Sequence, residues 1–309
     1  GNWIVFSSQG DLYKVSSKGG TASLLTKNDA YDFSPVWSHD NKTIAFASMR
    51  YGNYDIFTIP ADGGIAQRIT LHSSDDIPYD FSIDNKAILF KSNRLDAASN
   101  QQFPVGGLAE LYQIDINTRN IKQISTTPAE FARYSQDGNT IYFHDLKGYE
   151  DPLRKHHTSS VARDVWKLDL KSKEYTQLTT FAGEDRNPVL SPDQKTLFYL
   201  SEANGSSNIY KMSVEGGKSQ PVTSLKNHPV RFLSISNTGL MCFSYQGEIY
   251  TLKDGGTPQK LNIVIALDNL DNQIKNVQIQ GDASEMAVSP NGKEIAFIRR
   301  GEVFVTSVK

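Results

Sequence analysis

The chain has 309 residues with 32 basic against 34 acidic side chains, so its formal net charge of -2 argues against a binder of polyanions. Only 38% of residues are apolar, and the longest aliphatic run, Ile263 to Leu267, falls far short of the roughly 20 residues that cross a bilayer, so no membrane span is expected. The single cysteine, Cys242, excludes an internal disulfide framework and a multi-thiolate metal cage, while 15 Phe, 14 Tyr and 22 Gly supply strand and turn formers together.

Along the chain the first strand signals are Trp3 to Phe6 and Asp11-Leu12-Tyr13, followed by a turn at Lys18-Gly19-Gly20. The start at Gly1 has neither an initiator methionine nor a leader segment and reads as processed or trimmed. The next unit is the clearest. Ser34 to Ser38 reads as an inner strand, Thr43 to Ser48 as a second, Asp55 to Ile59 as a third and Gln67 to Thr70 as an outer fourth.

Its anchor, Ser38-His39-Asp40-Asn41-Lys42-Thr43-Ile44-Ala45-Phe46, returns at Ser82, Ser135, Ser191 and Ser289, with a degenerate copy at Ser236. The intervals are 44, 53, 56, 45 and 53 residues, a period that suits a propeller blade or a two-helix repeat. Each unit contains short β-rich runs and no 3.6-residue stripe, so four-stranded antiparallel blades are expected. The fold class is therefore an all-β propeller.

Third strands repeat as an acid or amide, an aliphatic and an aromatic: Asp55-Ile56-Phe57, Glu110-Leu111-Tyr112, Asp164-Val165-Trp166, Asn208-Ile209-Tyr210, Glu248-Ile249-Tyr250 and Glu302-Val303-Phe304. Successive strand residues face opposite ways, which puts the aromatic in one gap between blades and the aliphatic in the other. Gly-Gly pairs recur between third and fourth strands, as in Asp62-Gly63-Gly64, and none opens a helix, so they read as hairpin turns and not as a phosphate cradle.

The ends are incomplete, since the first unit lacks an inner strand and the last stops before an outer one. Six blades over residues 1–267 are favoured, closed by a strand from 276–289, either Asn276 to Gln280 or Glu285 to Ser289, against Trp3 to Phe6. Residues 281–309 then begin a following repeat unit that is cut short. Seven blades are the alternative.

The units Ser191-Pro192-Asp193 and Ser289-Pro290-Asn291, with Arg68-Ile69-Thr70 and Gln177-Leu178-Thr179, resemble the WD40-like (PD40) repeats of TolB-type propellers. The run Lys147-Gly148-Tyr149 leading to Asp164-Val165-Trp166, and Glu294 to Phe304, look like the N-terminal six-bladed propeller of Tricorn-type proteases and the start of the next one. That resemblance implies a non-catalytic domain, with the catalytic serine and histidine in later domains, that gates or docks peptides and its sister domains. Where the family example has paired arginines ahead of the third inner strand, this chain has Asp75-Asp76, which puts carboxylate anchoring there in doubt.

No Gly-x-Ser-x-Gly elbow and no His-Glu-x-x-His pattern occurs, so no catalytic residue, metal site or cofactor is expected. Cys242, in Leu240-Met241-Cys242-Phe243, reads as a small buried hydrophobe. The inserts Lys91 to Ala109 and His144 to Arg163 occupy the same connection in consecutive blades and so crowd one rim, where binding commonly lives. Tyr149, Arg154, His156, His157 and Arg163 are the rim-loop candidates. Asp80, Arg133, Arg186 and Arg231, on or just before inner strands, are the channel-lining candidates.

The expected partners are polypeptide or peptide and downstream domains of the same protein, with no nucleic acid and no membrane, and with room for a homo-oligomer in the full-length protein. TolB likeness favours an exported or periplasmic place over the cytoplasm. Two other readings stand beside the first: a stand-alone TolB-like envelope scaffold, and a propeller glycosidase or lyase whose carboxylates converge on the channel.

Overall fold

The computed structural model describes residues 1–94, 108–148, 158–266, 279, 281 and 283–308, and every regular element among them is a strand. Sheet 1 starts with β1 (Trp3–Ser8), β2 (Asp11–Ser16) and β3 (Gly20–Leu24). Sheet 2 is β4 (Asp32–Trp37), β5 (Thr43–Ser48), β6 (Asp55–Pro60) and β7 (Gln67–Arg68). Sheet 3 is β8 (Asp76–Phe81), β9 (Ala87–Ser92), β10 (Glu110–Asp115) and β11 (Ile121–Ser125). Sheet 4 is β12 (Ala129–Tyr134), β13 (Thr140–Asp145), β14 (Val165–Asp169) and β15 (Tyr175–Gln177). Sheet 5 is β16 (Asp185–Leu190), β17 (Thr196–Ser201), β18 (Asn208–Ser213) and β19 (Gln220–Pro221), and sheet 6 is β20 (Arg231–Ile235), β21 (Leu240–Tyr245), β22 (Glu248–Lys253) and β23 (Gln259–Lys260). Then β24 (Ile263–Ile265) returns to sheet 1, and β25 (Ser284–Val288), β26 (Glu294–Arg299) and β27 (Glu302–Ser307) form a three-stranded sheet 7.

Sheets 2 to 6 are antiparallel meanders, and the first strand of each packs on the sheet before it. The expected division of each third strand is realised. Ile56 faces the core between sheets 2 and 3 while Phe57 faces that between sheets 1 and 2. Leu111 and Tyr112, Val165 and Trp166, and Ile209 and Tyr210 divide in the same way, aliphatic forward and aromatic back. Ile56, Leu111, Val165 and Ile209 are wholly buried, each worth about 1.5–3 kcal/mol of transfer free energy.

Two hydrogen-bond devices repeat with the units. At the first hairpin, Ser38 Oγ donates to Asp40 at 2.6 Å and accepts from the Thr43 N–H at 2.9 Å, and Ser82, Ser135 and Ser191 do the same for their own units. These bonds to Ser135 and Asn139 hold the Asp137 carboxyl at about 2, below its usual range. At the outer strand, Thr70 Oγ1 accepts from the Ile56 N–H at 2.9 Å and donates to Asp55 at 3.3 Å. Thr179 clasps Val165 and Asp164, and Thr223 clasps Ile209 and Asn208, at the same spacing of 15 residues. Between sheets, third-strand lysines reach the acid of the next Gly-Gly turn: Lys14 to Asp62, Lys167 to Glu215 and Lys211 to Asp254.

Sheet 6 returns to sheet 1 at two places. A Cβ on Gly1 would stand 2.9 Å from Ser236 Oγ, in the first turn of sheet 6. On the outside, β24 runs parallel to β3 with Ile263 opposite Gly20, and the Gly20 N–H donates to the Asn262 carbonyl at 2.8 Å. Gly19, at φ 84°, must be glycine here, since a Cβ would lie 2.6 Å from that carbonyl. Ile263 and Ile265 pack with Tyr13, Val15 and Ala22, the face of sheet 1 turned away from sheet 2.

This contact is separate from the closure expected against Trp3 to Phe6. Glu285 to Val288 lie in β25 and pair with β26, while the expected strand at Asn276 to Gln280 lies, Ile279 apart, outside the described residues. Among the described residues, the aliphatic alternation of Ile263 and Ile265 is what returns the chain to sheet 1, at its β3 edge.

Removing one clasp hydroxyl without changing shape isolates its contribution. Thr70→Val and Thr179→Val are each expected to lower unfolding free energy in urea by about 1–2 kcal/mol, against less than about 0.5 for Thr21→Val on the exposed outer strand. Equal effects at all three positions would contradict the clasp.

Candidate functional site

The inner strands β4, β12, β16 and β20 each carry a bulge, with Ser34, Phe131, Asn187 and Phe232 at φ 53°, 50°, 55° and 56°. The bulge separates the channel candidates into two levels. Asp80 and Arg133 follow it, two residues before their anchor serines, whereas Arg186 and Arg231 precede it, five residues before theirs.

Asp80 is built into the wall. It is buried, accepts the Phe81 N–H at 3.0 Å and the Tyr134 N–H of the next inner strand at 2.9 Å, and stands 3.8 Å from His39 Nε2. Burial raises its carboxyl above the usual range, with the charges of Arg133 and His39 opposing.

At the other level the structure joins what the sequence kept apart. Arg163, at the end of the second insert, is buried and donates from Nη1 to both oxygens of Glu184 at 3.2 and 3.3 Å. Its Nε lies 4.0 Å from Glu130, which also pairs with Lys91 and stands 3.5 Å from His144 Nε2. His144 Nδ1 accepts the Asn187 N–H at 3.1 Å, which leaves the ring proton on Nε2 facing Glu130. Burial holds the His144 imidazole down at about 4 against the pull of Glu130, and Phe131 stacks on it at 5.3 Å. Burial works against the Glu130 charge, yet the His144 hydrogen bond and Lys91 keep its carboxyl well below the usual range. Burial also pulls Arg186 below its ordinary value; Glu184 opposes that, and Arg163 and Arg231 add to it.

The cluster thus interlocks sheets 3, 4 and 5 at the rim where the two inserts emerge. Glu130 and Glu184 escaped the sequence reading, and His144, taken as the first residue of the second insert, lies in β13. The signal for Glu130 was its place, five residues before Ser135, where Arg186 and Arg231 stand in later units. Tyr149, Arg154, His156 and His157 lie outside the described residues. Burial pushes the Cys242 thiol up to about 12, so it carries no thiolate at neutral pH. Among the described residues no three His, Cys, Asp or Glu side chains converge on a metal position. At the same end of sheet 6, a cavity of about 390 Å³ is lined by His228, Pro229, Arg231, Ser244, Gln246 and Gly247.

Asp185 is a buried acid whose unit lacks the arginine that its counterparts have. Asp32 pairs with Arg50 at 2.9 Å and Asp76 with Arg94, but Ala203 stands where those arginines stand in their units. Asp76 is the second of the Asp75-Asp76 pair and is thereby consumed in structure. Burial, with Asp164 and Glu184 adding, pushes the Asp185 carboxyl up to about 7 despite hydrogen bonds to Ser201 and Thr179.

Repeating four-stranded sheets joined face to face, with their bulged strands innermost, define a β-propeller. The chain belongs to the family described as the Tricorn protease N-terminal beta propeller domain, whose model matches residues 1–258. A Tricorn protease homolog of Saccharolobus solfataricus is 24% identical over 204 residues, 63% of this chain and 18% of that protein. An uncharacterized protein of Agrobacterium fabrum is 25% identical over 148 residues, 44% of this chain and 47% of that one, so the chain spans less than half of either relative. Among solved structures, the tricorn protease superposes with a TM-score of 0.72 at 19% identity, covering all of this chain and 30% of that one. TolB from Acinetobacter baumannii gives 0.65 at 19% identity over 85% of this chain and 64% of its own.

The stability of the rim is expected to depend on pH through Asp185. A folded carboxyl at about 7 keeps a proton that the unfolded chain, near 3.8, has already released, so this residue costs stability as pH rises between those values. Asp185→Asn should stabilise the protein by a few kcal/mol at pH 8 and leave it nearly unchanged at pH 4, read as urea midpoints. His144 acts oppositely, since a depressed imidazole withdraws stability as pH falls from about 6.5 toward 4. Equal effects of the Asp185 substitution at both pH values would contradict the assignment.

Proposed function

We propose that this chain is a non-catalytic propeller of a larger Tricorn-like protease, with sheets 1 to 6 forming a six-bladed ring that docks or gates polypeptide and holds neighbouring domains. Residues 281–309 on this reading begin the next repeat unit. The observation that carries it is sheet 7. Val303 and Val305 on one face of β27 are 69% and 64% exposed, Met286 and Val288 on β25 are 73% and 64% exposed, and Phe304 is open on the opposite face. A sheet apolar on both sides is stable only between neighbours. Arg300, in the turn between β26 and β27, meets Asp11 at 3.5 Å and ties the sheet to sheet 1.

The rim supports the polypeptide half of the reading. Of the rim network Lys91 and Glu130, one of each sign, are half-buried and not wholly enclosed, and such a mixed polar rim suits polar peptide better than lipid or nucleic acid. The lyase or glycosidase reading needs convergent carboxylates. Asp80 is bonded into β12, and Glu285 lies in sheet 7, whose strands pair only with one another among the described residues.

Two measurements test the proposal. Unstructured, disulfide-reduced casein incubated with the protein is expected to be retained on it and recovered uncut; cleavage that disappears on changing a single residue of this chain would overturn the non-catalytic reading. Deleting residues 281–309 is expected to abolish most binding of a hydrophobic dye while the remaining chain keeps one cooperative melt. Loss of the melt would show that sheet 7 is part of the ring.

A further inference from the structure

Neighbouring sheets are tied by two repeated bridges, and the gap between sheets 3 and 4 has neither. The first bridge joins successive first hairpins. The residue after the anchor serine donates its N–H to the side chain of the left-handed residue in the next sheet's turn. His39 N–H donates to Asn85 Oδ1 at 2.7 Å between sheets 2 and 3, and Gln136 N–H to Gln194 Oε1 at 2.9 Å between sheets 4 and 5. Between sheets 5 and 6 Gly239 takes the acceptor's place, but the donor's place is held by Pro192, which has no N–H. Between sheets 3 and 4 Gly138, at φ 70°, takes the acceptor's place, while Ile83 keeps its N–H.

The second bridge is the third-strand lysine that reaches the acid of the next Gly-Gly turn, as Lys14, Lys167 and Lys211 do. In sheet 3 Gln113 stands at that position, and the facing turn of sheet 4, Leu170 to Lys173, carries two lysines and no acid. What remains is a cavity of about 320 Å³, near the lower end of the volumes that hold small molecules.

Its apolar wall is Ile83, Ile124 and Leu170, which pack on the core shared by sheets 3 and 4. Gln113 Oε1 accepts the Tyr134 hydroxyl at 3.3 Å, which leaves the Gln113 amide nitrogen to donate. Lys122 and Lys173 are exposed at the border, and neither makes an ion pair among the described residues. Asp84 also lines the cavity, but its carboxylate already accepts the Ser82 hydroxyl at 2.6 Å and the Lys86 N–H at 3.2 Å. The lining thus carries two positive charges against one negative. The chain leaves the described residues after Arg94 and Gly148, at the opposite ends of β9 and β13, and after Ala266, just past β24 of sheet 1, so this gap lies away from all three points.

We propose that the gap between sheets 3 and 4 binds a small monocarboxylate with an apolar body. One carboxylate oxygen accepts the Ile83 N–H, in the place that Asn85 Oδ1 and Gln194 Oε1 hold in their own gaps, and Gln113 Nε2 donates to the other. Lys122 and Lys173 supply the opposite charge, and the apolar body lies on Ile83, Ile124 and Leu170. The ligand supplies the bridge that the sequence omits, and so ties sheet 3 to sheet 4. The site is on the face away from the inserts and is independent of the polypeptide reading.

The test is a titration of the full chain with 4-phenylbutyrate and with its uncharged amide, followed by amide and methyl resonances. In the free protein the Ile83 amide is expected to exchange at least about tenfold faster than those of His39 and Gln136. 4-Phenylbutyrate is expected to shift the Ile83 amide and the Ile124 and Leu170 methyl signals saturably, and 4-phenylbutyramide to bind at least about fivefold more weakly. Lys173→Gln should weaken binding by about threefold. Gly138→Asn restores the acceptor with a residue that tolerates positive φ, and its Cβ meets only Ile83 Cγ1, at 3.8 Å, so the fold is kept. This variant should slow Ile83 exchange and abolish binding. No saturable shift at Ile83 by about 10 mM 4-phenylbutyrate, where a millimolar site is mostly filled, would overturn the proposal. Equal binding of acid and amide, or undiminished binding to Gly138→Asn, would overturn it as well.

Discussion

The architecture depends on the rule that each of sheets 2 to 5 is buried from both sides by different residues of one strand. Ile56 and Phe57 are neighbours in sequence, yet they belong to separate cores, one shared with the sheet ahead and one with the sheet behind. No single sheet can satisfy both, so stability is cooperative around the series, and an uncovered end is a liability. The chain meets that liability at sheet 1 with β24 and with the contact of Gly1 against the first turn of sheet 6.

The same rule explains where charge is placed. With the faces committed to apolar packing, polar groups are left to the rims and to the innermost strand. Four of the inner strands turn a bulge residue into the left-handed region, and charged side chains stand on either side of it. At one rim the result is a buried ionic network from Lys91 to Glu184, in which every acid but Asp185 is matched by a cation or an imidazole. Such a network costs much desolvation and returns geometry, so its work is to hold the bases of the two long inserts in a fixed relation.

Most of the fold was legible in the sequence because it repeats. The anchor serine, the aspartate two places on and the positive-φ residue after it recur often enough to be read as one turn, and the alternation of Leu111 and Tyr112 gave the two faces of every third strand. The return of β24 to sheet 1 was not legible. It rests on Ile263 to Ile265, a three-residue strand pairing in parallel, and parallel pairing across more than 200 residues leaves no local signal. The rim was half legible: loop lengths pointed to Arg163 and to His144, which was counted in the insert but lies in β13, whereas Glu130 read as an ordinary strand residue until the fold brought it to the rim. Arg186 and Arg231 were visible as charges on inner strands, whereas the burial that alters Arg186 depends on neighbours in other units.

The closed series of sheets is most directly tested by joining its two ends covalently. With Cys242 replaced by alanine, and Thr238 also, because its Oγ1 would stand 2.3 Å from a Cβ at position 1, cysteines at Gly1 and Ser236 are expected to form a disulfide within one molecule on mild oxidation and to raise the melting temperature, since that Cβ lies 3.3 Å from the Ser236 Cβ. If those two cysteines stay reduced, or link only between molecules, sheets 1 and 6 are not neighbours and the closed ring is wrong.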